Sequence, residues 1–400
     1  MGMKSAGNRA GNRAGIAVGV LWVATFGLLA IGLLLLASLD VRLVQSGREW
    51  PGLQVGLARR QLAWIGVGLL LAWTASRVDF RRWRQLAVPF AFALFVLLTA
   101  VLIPGVGVAV LGARKWLCLW PLGWLQPSVL ATGALVLFMA WWYQMDARRT
   151  SLLDWIPVAA MLGFAALVFV EPDIGTALLV VLTGTAMMVF GRAQFQHVVV
   201  GLFLPVALLS WLIDRDPFAM GRLMAFFARD PASPVDVPTF FLALKGGGWL
   251  GAGLGNGHWA RYFFPDAADG LVTAVIGEEL GFVGLLGVIG CYLAMLGSGV
   301  YIGAKAPDRF GALLGYGIVV ALIAQVVLNV LVVTALLPLR ALPLPLVSRG
   351  GFSLCVPLVG VGVLWSIANA CGENRPEAEG AETDDGRPPP PSQKDRNALA

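Results

Sequence analysis

Long uncharged apolar segments recur from near the N-terminus almost to the end of the chain, and they constrain the fold more than any other feature. About 20 consecutive apolar residues are needed for a helix to cross the hydrocarbon core of a bilayer. Hydrophobic residues make up 58% of the 400 residues and charged residues only 13%, which excludes a water-soluble enzyme. The sequence therefore predicts an all-α polytopic membrane protein.

Ten such segments can be distinguished, and each is predicted to form a transmembrane helix. The first is too long to be the apolar part of a cleaved signal peptide, so it is predicted to remain as a helix. The predicted helices cover residues 16–39, 61–76, 86–104, 127–145, 153–170, 174–190, 197–213, 271–297, 311–337 and 346–370.

The positions of Lys and Arg predict how the chain is oriented. Ten helices place both termini on one side, and whole-loop counts of Lys and Arg are equal on the two sides. Because the loops on one side are much longer, and long loops weigh little in the positive-inside rule, the density of basic residues favours cytoplasmic termini. Residues 1–15 are then a cytoplasmic segment, 16–370 a membrane domain and 371–400 a disordered cytoplasmic tail. One long extracytoplasmic loop, 214–270, joins helices 7 and 8.

The long loop concentrates charges of both signs and is the main candidate for chemistry. Basic residues beside a bilayer suit an anionic headgroup or a pyrophosphate, and a carboxylate among them can act as a general base toward a hydroxyl. Asp269 also suits an N-cap for the helix predicted from Leu271, so a capping role competes with a catalytic one. The loop charges in this hypothesis are Arg222, Arg229, Lys245, Arg261, Asp266 and Asp269.

Other charged residues lie close to apolar segments. Glu278 and Glu279 fall about two turns into predicted helix 8, so at least one faces protein or water rather than lipid, in either a structural or a functional role. Residues 171–173, Glu-Pro-Asp, place two carboxylates between two uncharged helices. Arg349 follows a proline-rich turn near the outer end of the last helix, where it either snorkels or binds a ligand.

Residues 246–257 are rich in glycine and satisfy the GxGxxG spacing at Gly246, Gly248 and Gly251. No strand is predicted before this pattern, and a helical membrane chain offers no βαβ unit, so nucleotide binding is not predicted. A bent and closely packed segment is the better interpretation.

Cysteine and histidine usage predicts neither a metal site nor a disulfide framework. The four cysteines are scattered without a CxxC pair, and a single histidine, His258, lies in the long loop. A net charge of +6 does not indicate nucleic-acid binding, because in a membrane protein the location of the basic residues matters more than their sum.

Several motifs, in the same order along the chain, resemble the SEDS family of FtsW, RodA and SpoVE. The resemblance covers roughly residues 16–370, and Glu171 favours an FtsW-like member because the elongation type more often has Gln there. The motifs are residues 112–116 (GARKW), 126–128 (QPS), 171–177 (EPDIGTA), 251–257 (GAGLGNG), 274–282 (AVIGEELGF) and 342–351 (LPLPLVSRGG).

This resemblance implies a peptidoglycan glycosyltransferase that polymerises lipid II at the outer face of the bacterial plasma membrane. It would work with a class B penicillin-binding protein, a transpeptidase, and with other membrane proteins of division or elongation. The family's catalytic Asp, which activates the 4-hydroxyl of the acceptor sugar, aligns with Gly270, and a one-residue shift assigns the role to Asp269. No cofactor is implied with certainty, and a divalent cation stays open. The substrate-binding candidates are Arg114, Lys115, Arg222, Arg261, Asp266, Glu278 and Arg349.

Departures from the family pattern support two alternative functions. Gly270, Val129 and Thr132 replace residues that are polar in the family, which favours a non-catalytic homologue that acts as a scaffold or regulator of cell-wall synthesis. Carboxylates near the membrane and glycines able to hinge favour a flippase for the lipid-linked precursor instead. The flippase is the weakest alternative, because the charges collect in one loop rather than along a path through both leaflets.

Overall fold

The computed structural model describes residues 2–46, 56–110, 113–119, 123–145, 152–215, 243–258, 270–334, 336–337 and 342–373. These residues form a bundle of α-helices with one small β-sheet. The helices are α1 (Gly2–Ser46), α2 (Leu57–Arg77), α3 (Phe80–Leu102), α4 (Ser128–Tyr143), α5 (Ile156–Val170), α6 (Ile174–Phe190), α7 (Phe195–Arg215), α8 (Val272–Glu279), α9 (Gly281–Ala304), α10 (Arg309–Val333) and α11 (Phe352–Glu373), with a 3₁₀ turn at Leu152–Trp155 before α5.

Helices long and apolar enough to cross a bilayer confirm the predicted class of membrane protein. Six such candidates are present in the described residues, and three shorter apolar helices accompany them. The number of ten crossings stays a prediction. The six candidates are Ala14–Val41, Phe80–Leu102, Leu152–Val170, Gly281–Ala304, Arg309–Val333 and Phe352–Cys371.

A three-stranded antiparallel sheet lies between α3 and α4, where no strands were predicted. Its strands are β1 (Val108–Val110), β2 (Ala113–Leu119) and β3 (Gly123–Leu125), with β2 in the middle. β1 and β3 have only three residues each, and β2, Ala-Arg-Lys-Trp-Leu-Cys-Leu, lacks the alternation of polar and apolar residues by which a strand is recognised in a sequence. The sheet matters because β2 carries the two basic residues of the GARKW motif.

Helix α1 begins at Gly2, well before the predicted residue 16, and its far end is joined to the start of α2. The carboxylate of Asp40 accepts hydrogen bonds from the backbone N–H groups of Gly56, Leu57 and Ala58 at 3.1, 2.8 and 2.8 Å. These N–H groups have no partner within α2, because the first turn of a helix leaves its donors unsatisfied. A side chain from one helix thus caps the next.

The predicted helix at 271–297 is in fact broken into α8 and α9. The break falls at Leu280 and Gly281, where Gly281 has φ +69°, a left-handed conformation that favours glycine. The N-cap position of α8 is Leu271, and the capping role of Asp269 stays a prediction. Asp269 itself lies outside the described residues.

The glycine-rich segment 246–257 packs against this break. Ala252 N–H donates to the Glu278 carbonyl at 2.9 Å and Gly253 N–H to the Glu279 carbonyl at 3.1 Å. In the other direction, the N–H groups of residues 282 and 283 donate to carbonyls of residues 248 and 249 at 3.0 and 3.1 Å. The segment therefore satisfies backbone groups that the broken helix leaves without partners.

The last predicted helix, 346–370, begins later than expected, at Phe352. The prolines at 343 and 345 prevent helical hydrogen bonding, so residues 342–351 follow an irregular path. Most of these residues are nevertheless buried, and Val347 is fully enclosed beside Gly32 of α1. Gly32 has no room for a side chain, because an added Cβ would lie 2.5 Å from the Val347 carbonyl oxygen.

Contacts between the helices fix which of their ends lie together. Pairs such as Gly303 with Gly315 bring the end of α9 against the beginning of α10, and Asp40 joins the end of α1 to the beginning of α2. Small residues permit such close approach of helix backbones.

We call one end of the bundle the site end. It holds Ser38 of α1, Gln61 of α2, Ser128 of α4, Asp173 before α6, Gly270 before α8 and Asn329 of α10.

Replacing Gly281 by alanine should destabilise the protein. The left-handed backbone alone costs a non-glycine residue about 1–2 kcal/mol, and the new Cβ would also meet the Gly251 nitrogen and the Trp249 carbonyl. Gly290→Ala, on the same helix with open space around it, is the matched control and should leave the stability equal or slightly higher. Thermal unfolding in detergent measures both, and equal melting temperatures for the two variants would contradict this account.

Candidate functional site

Two of the family motifs meet at the site end. The Gln126 side-chain amide donates to Oδ2 of Asp173 at 3.1 Å and to Oγ of Ser128 at 3.0 Å. The other carboxylate oxygen of Asp173 accepts from the Thr176 N–H at 3.1 Å and so caps α6. The QPS and EPD motifs, far apart in the sequence, therefore form one polar cluster.

Glu171 is the most unusual residue of this cluster. Its side chain is fully buried, and neither carboxylate oxygen makes a hydrogen bond of good geometry, although the Ser128 hydroxyl lies near enough to act on its pKa. Desolvation by burial raises the pKa of Glu171 to about 8, and the negative charge of Asp173 raises it further. The Ser128 hydroxyl and the positive charge of Lys115 on β2 lower it. A buried carboxylate without partners is costly, and costly groups of this kind cluster at functional sites.

The proline-containing segment 342–351 is held by side chains from two neighbouring helices. Gln325 of α10 donates from its side-chain amide to the Pro343 carbonyl at 2.7 Å. Tyr292 of α9 donates its hydroxyl to the Pro345 carbonyl. Irregular backbone within a membrane protein requires such partners because lipid supplies none.

A third helix holds the end of the same segment, around Arg349. Gln61 of α2 is buried; its amide donates to the Ser348 carbonyl at 3.2 Å, and its oxygen accepts from the Gly350 N–H at 3.2 Å. The Ser348 hydroxyl accepts from the Leu344 N–H at 2.7 Å. These bonds fix the backbone on both sides of the half-buried Arg349, which places this candidate at the site end.

Asn329 of α10 joins the proline-containing segment to the end of the long loop. Its side-chain amide donates to the Gly270 carbonyl at 2.8 Å and to the Leu342 carbonyl at 2.5 Å. Its oxygen accepts from the Thr273 hydroxyl at 2.6 Å, and the whole side chain is buried. Gly270 directly follows Asp269, so these bonds hold the backbone next to the predicted base.

Glu278 and Glu279 bind protein groups. The carboxylate of Glu278 accepts from the His258 N–H. The carboxylate of Glu279 accepts from the Ser38 hydroxyl, at 2.8 Å to each oxygen, and the same hydroxyl accepts from the Gly255 N–H at 3.0 Å. Both carboxylates are buried. This geometry favours the structural role that the sequence left open for these two residues.

The predicted site residues are only partly described. Lys115 is half-buried on β2 near Glu171, and Arg114 precedes it on the same strand, although only its backbone is described. Glu278 and Arg349 lie at the site end. The remaining candidates, Arg222, Arg261, Asp266 and Asp269, lie outside the described residues.

A small apolar cluster joins the Asp173 side of the site to the Asn329 side. Leu179 of α6, Leu328 of α10 and Leu342 pack together, and each is at least nine-tenths buried. Leu342 also provides one of the carbonyls that Asn329 binds. The polar residues around Asp173 and those around Asn329 therefore lie at the same end of the bundle and are not two separate sites.

Metal binding receives limited support from the described residues. Within them no group of three or more His, Cys, Asp or Glu side chains lies close enough to hold an ion. Glu171 and Asp173 are hard oxygen ligands, and Mg²⁺ typically uses one or two carboxylates together with substrate phosphates. A divalent cation therefore stays a prediction.

The fold and this site define a multi-pass helical membrane protein that gathers carboxylates, side-chain amides and a basic strand at one end of its bundle. The chain belongs to the Cell cycle protein family of FtsW, RodA and SpoVE, whose sequence model matches residues 19–372. This confirms the resemblance that the motifs indicated.

Curated relatives carry the name probable peptidoglycan glycosyltransferase FtsW. The relative from Legionella pneumophila is 32% identical over 361 residues, which covers 88% of this chain and 90% of the relative. The relative from Trichlorobacter lovleyi is 32% identical over 321 residues, 78% of this chain and 83% of its own length.

Solved structures show the same fold. A chain from the structure of a peptidoglycan synthase complex that coordinates polymerization and crosslinking is 27% identical, with a TM-score of 0.69, over 88% of this chain and 98% of that one. The rod shape determining protein RodA of Thermus thermophilus is 27% identical, with a TM-score of 0.63, over 87% of this chain and 95% of that one.

Sequence reasoning missed the side chains that hold the site together. Gln325 and Asn329 are amides in an apolar helix, Gln61 follows two arginines at the start of α2, and Ser38 lies near the end of α1. Polar residues in a membrane helix almost always face protein or a polar cavity, so their positions were the available signal. Gln325 and Asn329 are also four residues apart, which places both on one face of α10.

Glu171 should make the stability of the protein depend on pH. Its pKa in the folded protein, about 8, lies above the ordinary 4.5, so the folded state retains a proton that the unfolded state releases. Stability should therefore fall as the pH rises from about 5 to 8, by at most about 1.4 kcal/mol per pH unit. Glu171→Gln should remove this part of the dependence. Melting temperatures in detergent at pH 5, 6.5 and 8 test it, and parallel curves for both proteins would contradict it.

Proposed function

We propose that this chain polymerises lipid II at the outer face of the bacterial plasma membrane, with Asp269 as the catalytic base. The FtsW relatives and the similar chain from a peptidoglycan synthase complex support peptidoglycan glycosyltransferase function in cell-wall synthesis. One structural observation carries the assignment to this end of the molecule. The QPS and EPD motifs, the segment 342–351 and the residue after Asp269 all lie at the site end.

The proposed reaction transfers a glycan with inversion at its anomeric carbon. The 4-hydroxyl oxygen of the acceptor sugar attacks this carbon as the bond to the pyrophosphate oxygen breaks. The polyprenyl pyrophosphate leaves with the bonding electrons, and the hydroxyl proton passes to the Asp269 carboxylate. A base in this position contributes typically about 10²- to 10⁴-fold to the rate.

Basic residues around the site end are proposed to bind the pyrophosphate. Lys115 and Arg114 lie on β2, where Lys115 is close enough to Glu171 to lower its pKa. Arg222 and Arg261 of the long loop join them in the proposal, and fixed cations of this kind stabilise the charge that develops on the leaving group. Arg349 is suited to the same task because Gln61 holds the backbone on both sides of it.

The remaining candidates receive different roles. Asp266 is proposed to bind sugar hydroxyls beside Asp269. Glu278 is proposed to shape the site through the His258 N–H rather than to be consumed in proton transfer. If a divalent cation binds at this end, the carboxyl groups of Glu171 and Asp173 would supply its protein ligands, and Glu171 would have to lose its proton first.

A class B penicillin-binding protein is the proposed partner. The similar structure of a peptidoglycan synthase complex coordinates polymerization with crosslinking, which are consecutive steps in wall assembly. Other membrane proteins of division or elongation are proposed as further partners, with an FtsW-type role in division favoured by the relatives. In this arrangement residues 1–15 and 371–400 are cytoplasmic and the loop 214–270 faces outward.

The scaffold function remains the second candidate, since Val129, Thr132 and Gly270 replace polar residues of the family. A flippase receives less support. The described buried acids Glu171, Glu278 and Glu279 all lie at the site end, whereas a path for a charged headgroup would need polar groups at several depths.

Asp269→Asn should abolish polymerisation without unfolding the protein. The substitution keeps the shape of the side chain and removes its ability to accept a proton, so the rate should fall by about 10²- to 10⁴-fold. Purified protein is assayed for glycan chains from fluorescent lipid II, together with a penicillin-binding partner that has no glycosyltransferase activity. Asp236→Asn, the same change in the same loop, is the matched control and should polymerise like the wild type.

Three outcomes separate the hypotheses. Long glycan from the wild type and the control but not from Asp269→Asn supports the proposal. Equal polymerisation by all three proteins means that Asp269 is not the base. No glycan from any of them, while the partner still binds, would favour the scaffold function.

A further inference from the structure

Four arginines surround the turn between α2 and α3. The first is the last residue of α2, and the other three lie in the first two turns of α3. All four side chains are exposed, and they are Arg77, Arg81, Arg82 and Arg84. We call residues 77–84 the arginine turn. It lies at the end of the bundle opposite to the site end, because α2 begins at the site end and its 21 residues extend about 30 Å from it.

The backbone of the arginine turn is held from α11. The Ser366 hydroxyl accepts a hydrogen bond from the Phe80 N–H at 3.1 Å and donates one to the Val78 carbonyl at 2.8 Å. The Asp79 carboxylate accepts from the Arg81 N–H at 2.9 Å and caps α3. The side chain of Phe80 is fully buried. The arginines therefore project from a backbone that is already fixed, which reduces the entropy lost when a ligand binds.

The positive charge of the arginine turn is only partly neutralised. Asp79 lies within the turn, and its carboxylate caps α3. Within the described residues, the one ion pair of the turn joins Nε of Arg81 to Oδ2 of Asp308 at 3.6 Å. The two side chains are 51% and 39% exposed, so water screens this pair and it is weak. Arg82 and Arg84 form no ion pair with any described acid, which leaves an excess of positive charge that attracts an anion.

Exposed apolar side chains continue from the arginines along both helices. On α2, the guanidinium carbon of Arg77 lies 5.2 Å from the centroid of the Trp73 ring. On α3, Val88 and Phe92 follow Arg84 at intervals of four residues, and residues four apart lie on the same side of a helix. Trp73, Val88 and Phe92 are all exposed. Each helix therefore presents an outer face that is basic at its end and apolar beyond it.

We infer that the arginine turn binds the headgroup of an anionic phospholipid of the surrounding bilayer, whose acyl chains lie along the exposed apolar faces of α2 and α3. Guanidinium groups bind phosphate oxygens through paired N–H donors, and clusters of basic residues beside membrane helices attract anionic headgroups. Trp73 suits the level of the headgroups, where aromatic rings collect. A soluble phosphate would gain nothing from Val88 and Phe92, so the apolar faces favour a lipid. This binding does not depend on the proposed reaction at the site end.

Native mass spectrometry of the full-length protein in detergent measures the Kd of the first bound lipid, with phosphatidylglycerol or phosphatidylcholine added. Phosphatidylglycerol should bind at least about tenfold more tightly, because the ammonium of phosphatidylcholine is repelled by the arginines. Arg77→Gln and Arg84→Gln should each weaken the binding of phosphatidylglycerol by about fivefold, the usual contribution of one basic residue beside an anionic surface. Equal Kd values for the two lipids in the wild type would overturn the inference.

Arg59→Gln is the matched control for Arg77→Gln. Arg59 is an exposed arginine on the same helix, 18 residues before Arg77, so the two Cα atoms are about 27 Å apart along α2. This separation exceeds the Debye length of about 10 Å at 0.1 M salt, and the Kd for phosphatidylglycerol should therefore stay within about twofold of the wild type. If Arg59→Gln weakens binding as much as Arg77→Gln, the lipid responds to the total charge of the protein and the inference fails.

Two further measurements identify the place and the source of the ligand. Photoactivatable phosphatidylglycerol in vesicles should label peptides that contain residues 70–92, and labelling confined to other parts of the chain would contradict the inference. Glycerophosphoglycerol, the same headgroup without acyl chains, should not displace the bound lipid even at about a hundredfold excess, because each buried methylene adds to lipid binding. Complete displacement would mean that the arginines bind a soluble phosphate, and the assignment to a lipid would then be wrong.

Discussion

Backbone groups that leave the helical pattern inside an apolar bundle must find hydrogen-bond partners in the protein, and the site end is built around this constraint. The break between α8 and α9 frees carbonyls of Glu278 and Glu279, and the glycine-rich segment 246–257 supplies N–H groups to both. The segment 342–351 is irregular as well, and side chains from α2, α9 and α10 bind its carbonyls.

The same constraint explains why polar side chains collect where the chemistry is proposed. Gln61, Gln325 and Asn329 are needed to satisfy irregular backbone, and that backbone carries or adjoins Arg349 and Asp269. The bonds that satisfy this irregular backbone therefore lie where the site is proposed. Glu171 is the exception, because its carboxylate is buried without a hydrogen-bond partner and is left available to a ligand or a proton.

The sequence predicted the architecture well because long apolar segments leave few alternatives to membrane helices. It did not predict the break at Gly281, since the residues from 271 to 297 contain no proline and read as one continuous segment. The late start of α11 was missed because residues 346–351 contain no proline and a single charge and so continue the apolar segment, although Leu346 has a left-handed backbone with φ +65°.

The charged residues of the candidate site were predicted from the sequence. The uncharged side chains that hold its backbone were not predicted. Charged residues are conspicuous in an apolar chain, which is why Lys115, Glu278, Arg349 and Asp269 could be named in advance. A single amide such as Asn329 hardly changes the apolar character of its helix, so the sequence gives little sign of its role. Its role depends on Gly270 and Leu342, and their proximity arises only from the tertiary fold.

The partners of Asn329 lie on opposite sides of α10 in the chain, and this has a consequence for biosynthesis. Membrane helices are made in order, so α10 is complete while Leu342 and Pro343 have yet to be synthesised. Asn329 can already bind Gly270 and Thr273 at that stage, whereas its bond to Leu342 and the bond of Gln325 to Pro343 must wait. The site end can therefore close completely only when the segment before α11 has been made.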